Sequence, residues 1–582
     1  MPTAERSTIG QGRADGRELS RGWAWAGLAA VLVGGLALRL WGVAQGLPYA
    51  FNSDEADHFV PRAVKMFGGS LNPHYFANPP GFTYLLHYLF AVAYGGKSSV
   101  RHMFASHPQD VYTLARIAAA VLGVAALWLL YATGARLFSR SVGLLAAAIE
   151  AVAFLPVFYA HLALNDVPTL APLTLSLLGT AGVLRKGRRR DYVLAGVGLG
   201  LACASKYTAG IVIVPFAAAT AARYLDAQPG AGRRALSGIA LAGAAALLAF
   251  LLANPYAALD YSSFHAQLVH QSTLSAEAQG KLGAPKDGGL AYYLWSLTWG
   301  LGWIPALAAL GGALTVWRKS QRLGWILVPA PLLFLLFMGL QSRYFGRWLL
   351  PIFPILCLLA ALFALQLADM LARRLPRLRV AAGALLVAAL LAQGLVYSVH
   401  SGLTLSRADT RNLTRDWMVA HIPAGRPIVV EPVAPDAWGL RWNKYPSLLS
   451  RISPAGKLEP EGAHVIGIED YERTLAPALI GYYEAHGYCW VVSGSTESGR
   501  ALADRSKIGQ QAVPLARAYY RALAQRGEVV YRVSPYTRGQ SPVAFNFDWS
   551  FDYYPLAYRR PGPEMTIYRL RGGRCKNQPG LS

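Results

Sequence analysis

The chain has 582 residues, of which 54% are hydrophobic and only 15% charged, and its mean hydropathy is +0.30. A soluble domain carries roughly a quarter charged residues, so this balance excludes an ordinary soluble enzyme and points to many membrane spans. The formal net charge of +24 does not argue for nucleic acid. The basic residues fall in short clusters between apolar runs, the pattern of cytoplasmic loops in membrane proteins.

Residues 1–20 are polar and are expected to form a disordered cytoplasmic N-terminus. The first apolar run, Trp23 to Val43, is too long for the apolar core of a cleaved signal peptide, and no A-x-A-like site follows it. It reads as a retained first span. Behind it lies the first outer loop, 44–108. The loop opens with "FNSDEADHF" (Phe51 to Phe59) and continues to "PPGFTYLLHYLFAVAYGG" (Pro79 to Gly96). The latter is apolar but short, and His87 and several tyrosines interrupt it, so it predicts a helix lying in the interface and not a crossing.

Ten further runs have the apolar character of spans, which need about 20 residues: 110–132, 141–162, 167–184, 191–205, 207–222, 235–253, 291–316, 323–340, 347–367 and 379–399. The two around Lys206 are short and also read as one broken unit. The sides follow from five basic loops: "ARLFSR" (Arg136, Arg140), "RKGRRR" (Arg185 to Arg190), "AGRR" (Arg233, Arg234), "WRKSQR" (Arg318 to Arg322) and "RRLPRLR" (Arg373 to Arg379). If Pro79–Gly96 does not cross and the N-terminus is inside, all five are cytoplasmic; if it crosses, all five flip outward, against the positive-inside rule. The expectation is therefore a polytopic α-helical membrane protein of about eleven spans, with residues 21–400 as the membrane domain and the C-terminus outside.

Residues 401–582 are no longer membrane-like. "RDWMVAHIPAGRPIVVEP" reads as an amphipathic helix, a turn and a strand, and "YCWVVSGS", "GEVVYRVSP" and "MTIYRL" as short buried strands. This predicts a compact extracytoplasmic α/β domain. Cys203 and Cys357 sit in apolar runs as ordinary buried residues. Cys489 and Cys575 can pair if this domain is extracytoplasmic; two unpaired structural thiols is the equal alternative. The aromatic stretch "FNFDWSFDYYPLAY" (Phe545 to Tyr558) reads first as a packed or interdomain loop and second as a sugar-stacking surface.

The acids next to the first span carry the functional reading. At i, i+3, i+4 spacing, Asp54, Asp57 and His58 share one helix face with Glu55 turned off it, and Ser53 is placed to cap. Acids are common at helix starts on dipole grounds alone. A second outer acid, Asp166, stands between two spans, where it is open to the same cap reading. Two ionisable sites at membrane depth more often face a cavity. Lys206, and the group Arg343, Tyr344 and Arg347, approach the same side. Together they outline a cavity holding an anion beside a carboxylate, and a lipid phosphate is an obvious anion there. Snorkelling for Lys206 and interfacial anchoring for the arginines are the plainer readings.

The segments "SDEADHF", "NPHYFANPPGFTYLLHYLF", "ALNDVPTLAPLTL", "GLGLACASKYTAG" and "SRYFGRWLLPIFP" occur in the order found in bacterial GT-C glycosyltransferases. The chain resembles their protein-mannosyltransferase-like and aminoarabinose-transferase-like group (family 39/83-type) over residues 20–400. The resemblance implies an enzyme that takes a sugar from a polyprenyl-phosphate donor to a glycan, lipid or protein acceptor on the outer membrane face. It also implies Asp54 as catalytic carboxylate, Glu55 as its neighbour and Asp166 as the acid of the second outer loop.

By ordinary chemistry Asp54 is a candidate base, and direct displacement inverts the anomeric centre. The leaving phosphate needs no general acid; cations hold it instead. Lys206, Arg343 and Arg347 take that role, with Tyr344 as a hydrogen-bond donor and His58 and His74 as further donor-side residues. No cofactor is required by this chemistry. A divalent metal held by Asp54, His58 and Asp166 is the weaker expectation, because tight ligand spacing is missing. His161 reads as a polar residue ending a span. The rival classes are a transporter or flippase, for which Arg39, Arg116 and Glu150 would be the mid-span charges, and a non-catalytic glycan-assembly protein. The expected partners are the donor, the acceptor and membrane lipid, with no nucleic acid.

Overall fold

The computed structural model describes residues 19–226, 230–277, 288–341, 344–445, 448–452, 458–465, 471–502, 514–537 and 556–576. All eleven expected spanning segments fall on helices. Among the described residues, seven helical runs are long and apolar enough to cross a membrane unaided: Arg21–Leu40, Pro108–Leu137, Ala231–Ala253, Gly289–Lys319, Gln321–Gly339, Gly346–Arg374 and the run from Pro376, whose main helix is Arg379–Leu405. An eighth is the pair Arg140–Val152 and Phe154–His161, bent by 61°. The remaining three segments are Leu170–Arg185, Arg189–Ser205 and the 3-10 turn Tyr207–Val212 continued by helix Ile213–Tyr224.

Small residues let these shorter helices pack backbone to backbone, as membrane helices do where lipid offers no hydrophobic drive. A Cβ on Gly179 would lie 2.3 Å from the Ala195 nitrogen, and one on Gly200 would lie 2.1 Å from the Ala246 carbonyl. Helix Arg189–Ser205 is thereby wedged between its two neighbours, and its end at Lys206 is fixed in height.

Pro79–Gly96 becomes the 14-residue helix Gly81–Tyr94. At 1.5 Å per residue it is about 21 Å long, short of the roughly 30 Å hydrocarbon core. His87, the residue that interrupts its apolar pattern, is buried and donates from Nδ1 to the Ala63 carbonyl at 3.0 Å. The helix therefore packs on the helix Val60–Lys65 of the same loop.

The last spanning helix runs to Leu405 and Asp409 caps the next helix, Thr410–His421. The four segments read as an amphipathic helix and strands appear as Thr410–His421, Pro427–Val430, Trp490–Gly494, Gly527–Val533 and Met565–Leu570. The sheet runs in the order Asn443–Lys444, Pro427–Val430, Trp490–Gly494, Met565–Leu570, Gly527–Val533; its first three strands are parallel and the others antiparallel. A separate antiparallel pair, Leu448–Ile452 with Leu458–Val465, was not apparent in the sequence. Cys489 and Cys575 form a disulfide, while Cys203 and Cys357 are free.

Two cores result. One runs through the helical domain and takes in Tyr536 and Tyr558; the other is built on Ile428, Val491, Val492 and Trp438 and takes in Tyr49 and Phe51 of the outer loop. Tyr558, the last residue of the aromatic stretch, packs its ring 4.9 Å from that of Tyr536; residues 545–555 of the stretch lie outside the described residues.

Candidate active site

The acidic loop starts its helix differently from expectation. Asn52, not Ser53, is the cap: its side-chain oxygen accepts from the Glu55 N–H at 3.2 Å and its carbonyl from Ala56 at 2.9 Å. The first turn then widens into a π-helix over Glu55–Phe59, a form that recurs at functional sites. Neighbouring acids consequently meet opposite surroundings.

Glu55 points into the protein. It is fully buried and binds Arg116 through both oxygens, to Nε and Nη2 at 2.7 Å each, and also accepts from the Ala163 N–H at 2.8 Å. Arg116, itself fully buried, spends its third nitrogen on the carbonyls of Val43 and Gln45, at 2.9 and 2.7 Å. Every charged atom of the pair is satisfied, which is what a buried ion pair requires. Both oxygens of Glu55 are thus engaged inside the protein, away from the surface that Asp54 faces.

Asp54 faces the other way. Its Oδ2 accepts from Nη2 of Arg347 at 2.9 Å, and its side chain is 31% exposed against 4% for Asp166. Nε of Arg347 lies 3.7 Å from Oδ2 of Asp166, whose Oδ1 is paired with the Lys206 ammonium. Four residues from four separate segments thus form one chain: Asp54, Arg347, Asp166, Lys206. The local reasons are plain. Asp54 opens the π-turn, and Asp166 sits in the turn between His161 and Leu170. Lys206 is the break after helix Arg189–Ser205, and Arg347 lies in the 3-10 turn Gly346–Ile352 that precedes the helix Phe353–Arg374. Asn165 reinforces the join by donating to the Ser205 carbonyl at 2.6 Å. The Arg347 guanidinium also lies 4.6 Å from the Phe345 ring centre. Its planar fork suits it to bridge two carboxylates.

The remaining candidates are dispersed. His58 stacks on Tyr75 with ring centres 4.4 Å apart, and Arg62 covers the same ring at 4.4 Å. Loss of water around the imidazole lowers its pKa, opposed by Asp54. His74 is exposed at the loop tip with a φ of 50°, held through its backbone by Asn72 and Gln267. Tyr344 is buried in an aromatic group, 5.7 Å from Tyr292 and 6.0 Å from Tyr293. Its packing therefore explains its presence without a donor. Arg343 lies outside the described residues. Among the described residues, no group of three or more His, Cys, Asp or Glu side chains is arranged to hold a metal ion; the set Asp54, His58 and Asp166 is not brought together in that way. His161 is buried, with its ring nitrogens against the carbonyls of Val157, Phe158 and Trp41.

Sequence reasoning missed the partner of Glu55. The signal was Arg116 itself, a charge inside a span, which must find an opposite charge or a carbonyl.

With this geometry in hand, comparisons with known proteins locate the chain. Residues 108–258 match the family model described as dolichyl-phosphate-mannose-protein mannosyltransferase, a stretch that contains Asp166 and Lys206. No curated protein matches the whole sequence significantly. The archaeal oligosaccharyltransferase AglB from Archaeoglobus fulgidus, solved with an inhibitory peptide and a dolichol-phosphate, superposes with a TM-score of 0.54 at 11% identity, covering 94% of this chain and 88% of its own. ArnT from Cupriavidus metallidurans, solved with undecaprenyl phosphate, gives a TM-score of 0.46 at 15% identity over 71% of this chain and 83% of its own. The chain is thus a multi-pass membrane protein that shares the fold of the archaeal oligosaccharyltransferase and carries, in its first half, a segment that matches the mannosyltransferase family model.

Proposed function

We propose that this protein is a membrane glycosyltransferase that moves a sugar from a polyprenyl-phosphate donor to an acceptor on the outer face of the cytoplasmic membrane. The observation that carries the reading is the chain Asp54–Arg347–Asp166–Lys206, assembled from residues up to 293 positions apart. Two carboxylates and two cations balance one another there. A donor brings a phosphate, and Arg347 can turn from Asp54 to that phosphate, where its fork fits bidentately. The same movement unmasks the Asp54 carboxylate.

In the reaction an acceptor oxygen attacks the anomeric carbon as the bond from that carbon to the phosphate oxygen breaks. The electron pair leaves with the phosphate, which Arg347 and Lys206 hold, and the acceptor's proton passes to Asp54. A positioned base of this kind contributes roughly 10²–10⁴-fold. Asp166 does not reach for the proton; it keeps Lys206 and Arg347 side by side. Attack from the face opposite the phosphate inverts the anomeric centre. The donor sugar is a hexose or pentose, and the acceptor is a glycan, lipid or protein with a hydroxyl to give. Arg343, adjacent in sequence, remains a candidate phosphate ligand.

The outer placement of the site is supported by the five basic loops and by the Cys489–Cys575 disulfide, a bond favoured in oxidising compartments. Two of the three mid-span charges that would favour a transporter are bonded within the protein, while Glu150 is buried with neither carboxylate oxygen hydrogen-bonded among the described residues. Arg116 holds Glu55, and Arg39 donates to the carbonyls of Gly35 and Ala151 at 2.9 and 3.0 Å. The test is transfer of labelled sugar from a panel of polyprenyl-phosphate sugars by the purified protein. Turnover with at least one donor, lost in Asp166→Asn, supports the reading. Movement of the lipid across sealed vesicles with no transfer would replace it by the flippase.

A further inference from the structure

The residues between the first span and Asp54 form a strap, Val43 to Asn52, that is gripped from two sides. The membrane domain holds its beginning through Arg116, bonded to the carbonyls of Val43 and Gln45 at 2.9 and 2.7 Å. The same guanidinium holds Glu55, beyond the strap's other end. The middle is gripped by the C-terminal domain. Asn412 Nδ2 donates to the Gly46 carbonyl at 2.9 Å, the Arg411 guanidinium lies 3.7 Å from the Phe51 ring centre, and that of Arg415 lies 5.2 Å from the Tyr49 ring centre. Tyr49 and Phe51 pack against the core of the C-terminal domain, not that of the helices.

Arg411 is not free to follow a moving loop. Its Nε and Nη2 bind Asp409 at 2.9 and 2.7 Å, and both residues are at most 3% exposed. It therefore offers Phe51 a flat face at a fixed place. Gly46, at a φ of +72°, makes the tight return this needs; a Cβ there would sit 2.8 Å from the Phe51 ring. Phe51 is three residues before Asp54, and Asn52, which caps the Asp54 turn, follows it directly.

We propose that Phe51, seated on Arg411 and tied by Asn412, is a positioning residue through which the C-terminal α/β domain sets Asp54 in the site. This deepens the proposed function and rests on it for the role of Asp54. The domain touches no reacting atom in this account. It fixes the register of the strap, and displacement of a reacting group by about 1 Å can cost 10²-fold in rate.

The test compares full-length Phe51→Leu, which keeps bulk but removes the aromatic face, with Phe51→Tyr, which keeps it. The expected result is a fall in kcat of about tenfold or more for Phe51→Leu with donor KM within about twofold, and near-normal kcat for Phe51→Tyr. Backbone amide exchange over residues 46–56 should quicken in Phe51→Leu alone, while Trp490–Gly494 and Pro108–Leu137 keep their protection. Wild-type kcat in Phe51→Leu, equal losses in both variants, or unchanged exchange over 46–56 would each overturn the proposal. The exchange measurement needs no turnover, so a wild type that transfers no sugar sinks the glycosyltransferase reading and still leaves the strap's dependence on Phe51 decided.

Discussion

The two ends of the helical bundle treat charge in opposite ways. At the outer end Asp54, Asp166, Lys206 and Arg347 are partly or wholly buried and matched two against two. At the other end Arg136, Arg185, Lys186 and Arg190 line a cavity of about 380 Å³ with a single acid, Asp191, among them. Arg136 is bonded to Asp191, whereas Arg185, Lys186 and Arg190 are exposed. An exposed cation keeps its water and needs no partner, and a surplus there fixes orientation. A cation drawn out of water must be compensated nearby. Surplus charge thus stays at the surface, and buried charge is balanced by its neighbours.

The comparison can be broken in graded steps. The largest effect on the fold is expected from Glu55→Ala, which leaves Arg116 buried and unpaired; the cost is about 3–5 kcal/mol, read as a lower thermal midpoint in detergent. Arg347→Gln removes the bridge between the two acids and one ligand of the leaving phosphate. It should slow transfer about 10²–10³-fold while leaving the thermal midpoint near that of wild type. At the opposite end, Arg185→Gln combined with Arg190→Gln should leave transfer within about twofold, as for substitutions on an exposed surface. A large loss there would show that the basic cavity takes part in turnover.

The smallest expected effect concerns Asp57. Loss of water around its carboxyl raises the pKa, His58 opposes this, and Asp54 and Asp436 add to it. The folded value therefore lies above the unfolded one, so the native state binds more protons between them. Stability falls as pH rises through that window and stays lower above it. Asp57→Asn should accordingly raise the thermal midpoint slightly at pH 7, and the gain should vanish below the ordinary aspartate range, near pH 3. A gain that persists at pH 3 would contradict the assignment.

Much of this was legible in the sequence, because the signals are periodic or compositional. Apolar run lengths placed the eleven segments, the shortness of Pro79–Gly96 together with the basic loops argued against a crossing, and β-branched runs marked most strands of the C-terminal sheet. Side assignment grouped Asp54, Asp166, Lys206 and Arg347 with His58, His74, Arg343 and Tyr344, and only the packing of the segments links the first four in one chain. What stayed hidden depends on pairing across the chain. Glu55 and Arg116 are 61 positions apart, and nothing periodic links them. The choice of Asn52 over Ser53 as cap turns on one residue of backbone phase, which the π-turn shifts. Tyr344 carries the hydroxyl expected of a donor, but its neighbours Tyr292 and Tyr293 come from another helix. The seat of Phe51 on Arg411 likewise joins residues 360 positions apart.

Asp54 carries the proposed proton transfer. The direct measurement is the rate of sugar transfer, with donor and acceptor saturating, for wild type, Asp54→Asn and Asp57→Asn purified in parallel. A loss of about 10²–10⁴-fold in Asp54→Asn, with its thermal midpoint retained and Asp57→Asn close to wild type, is the predicted result. Transfer by Asp54→Asn at the wild-type rate would contradict the central claim.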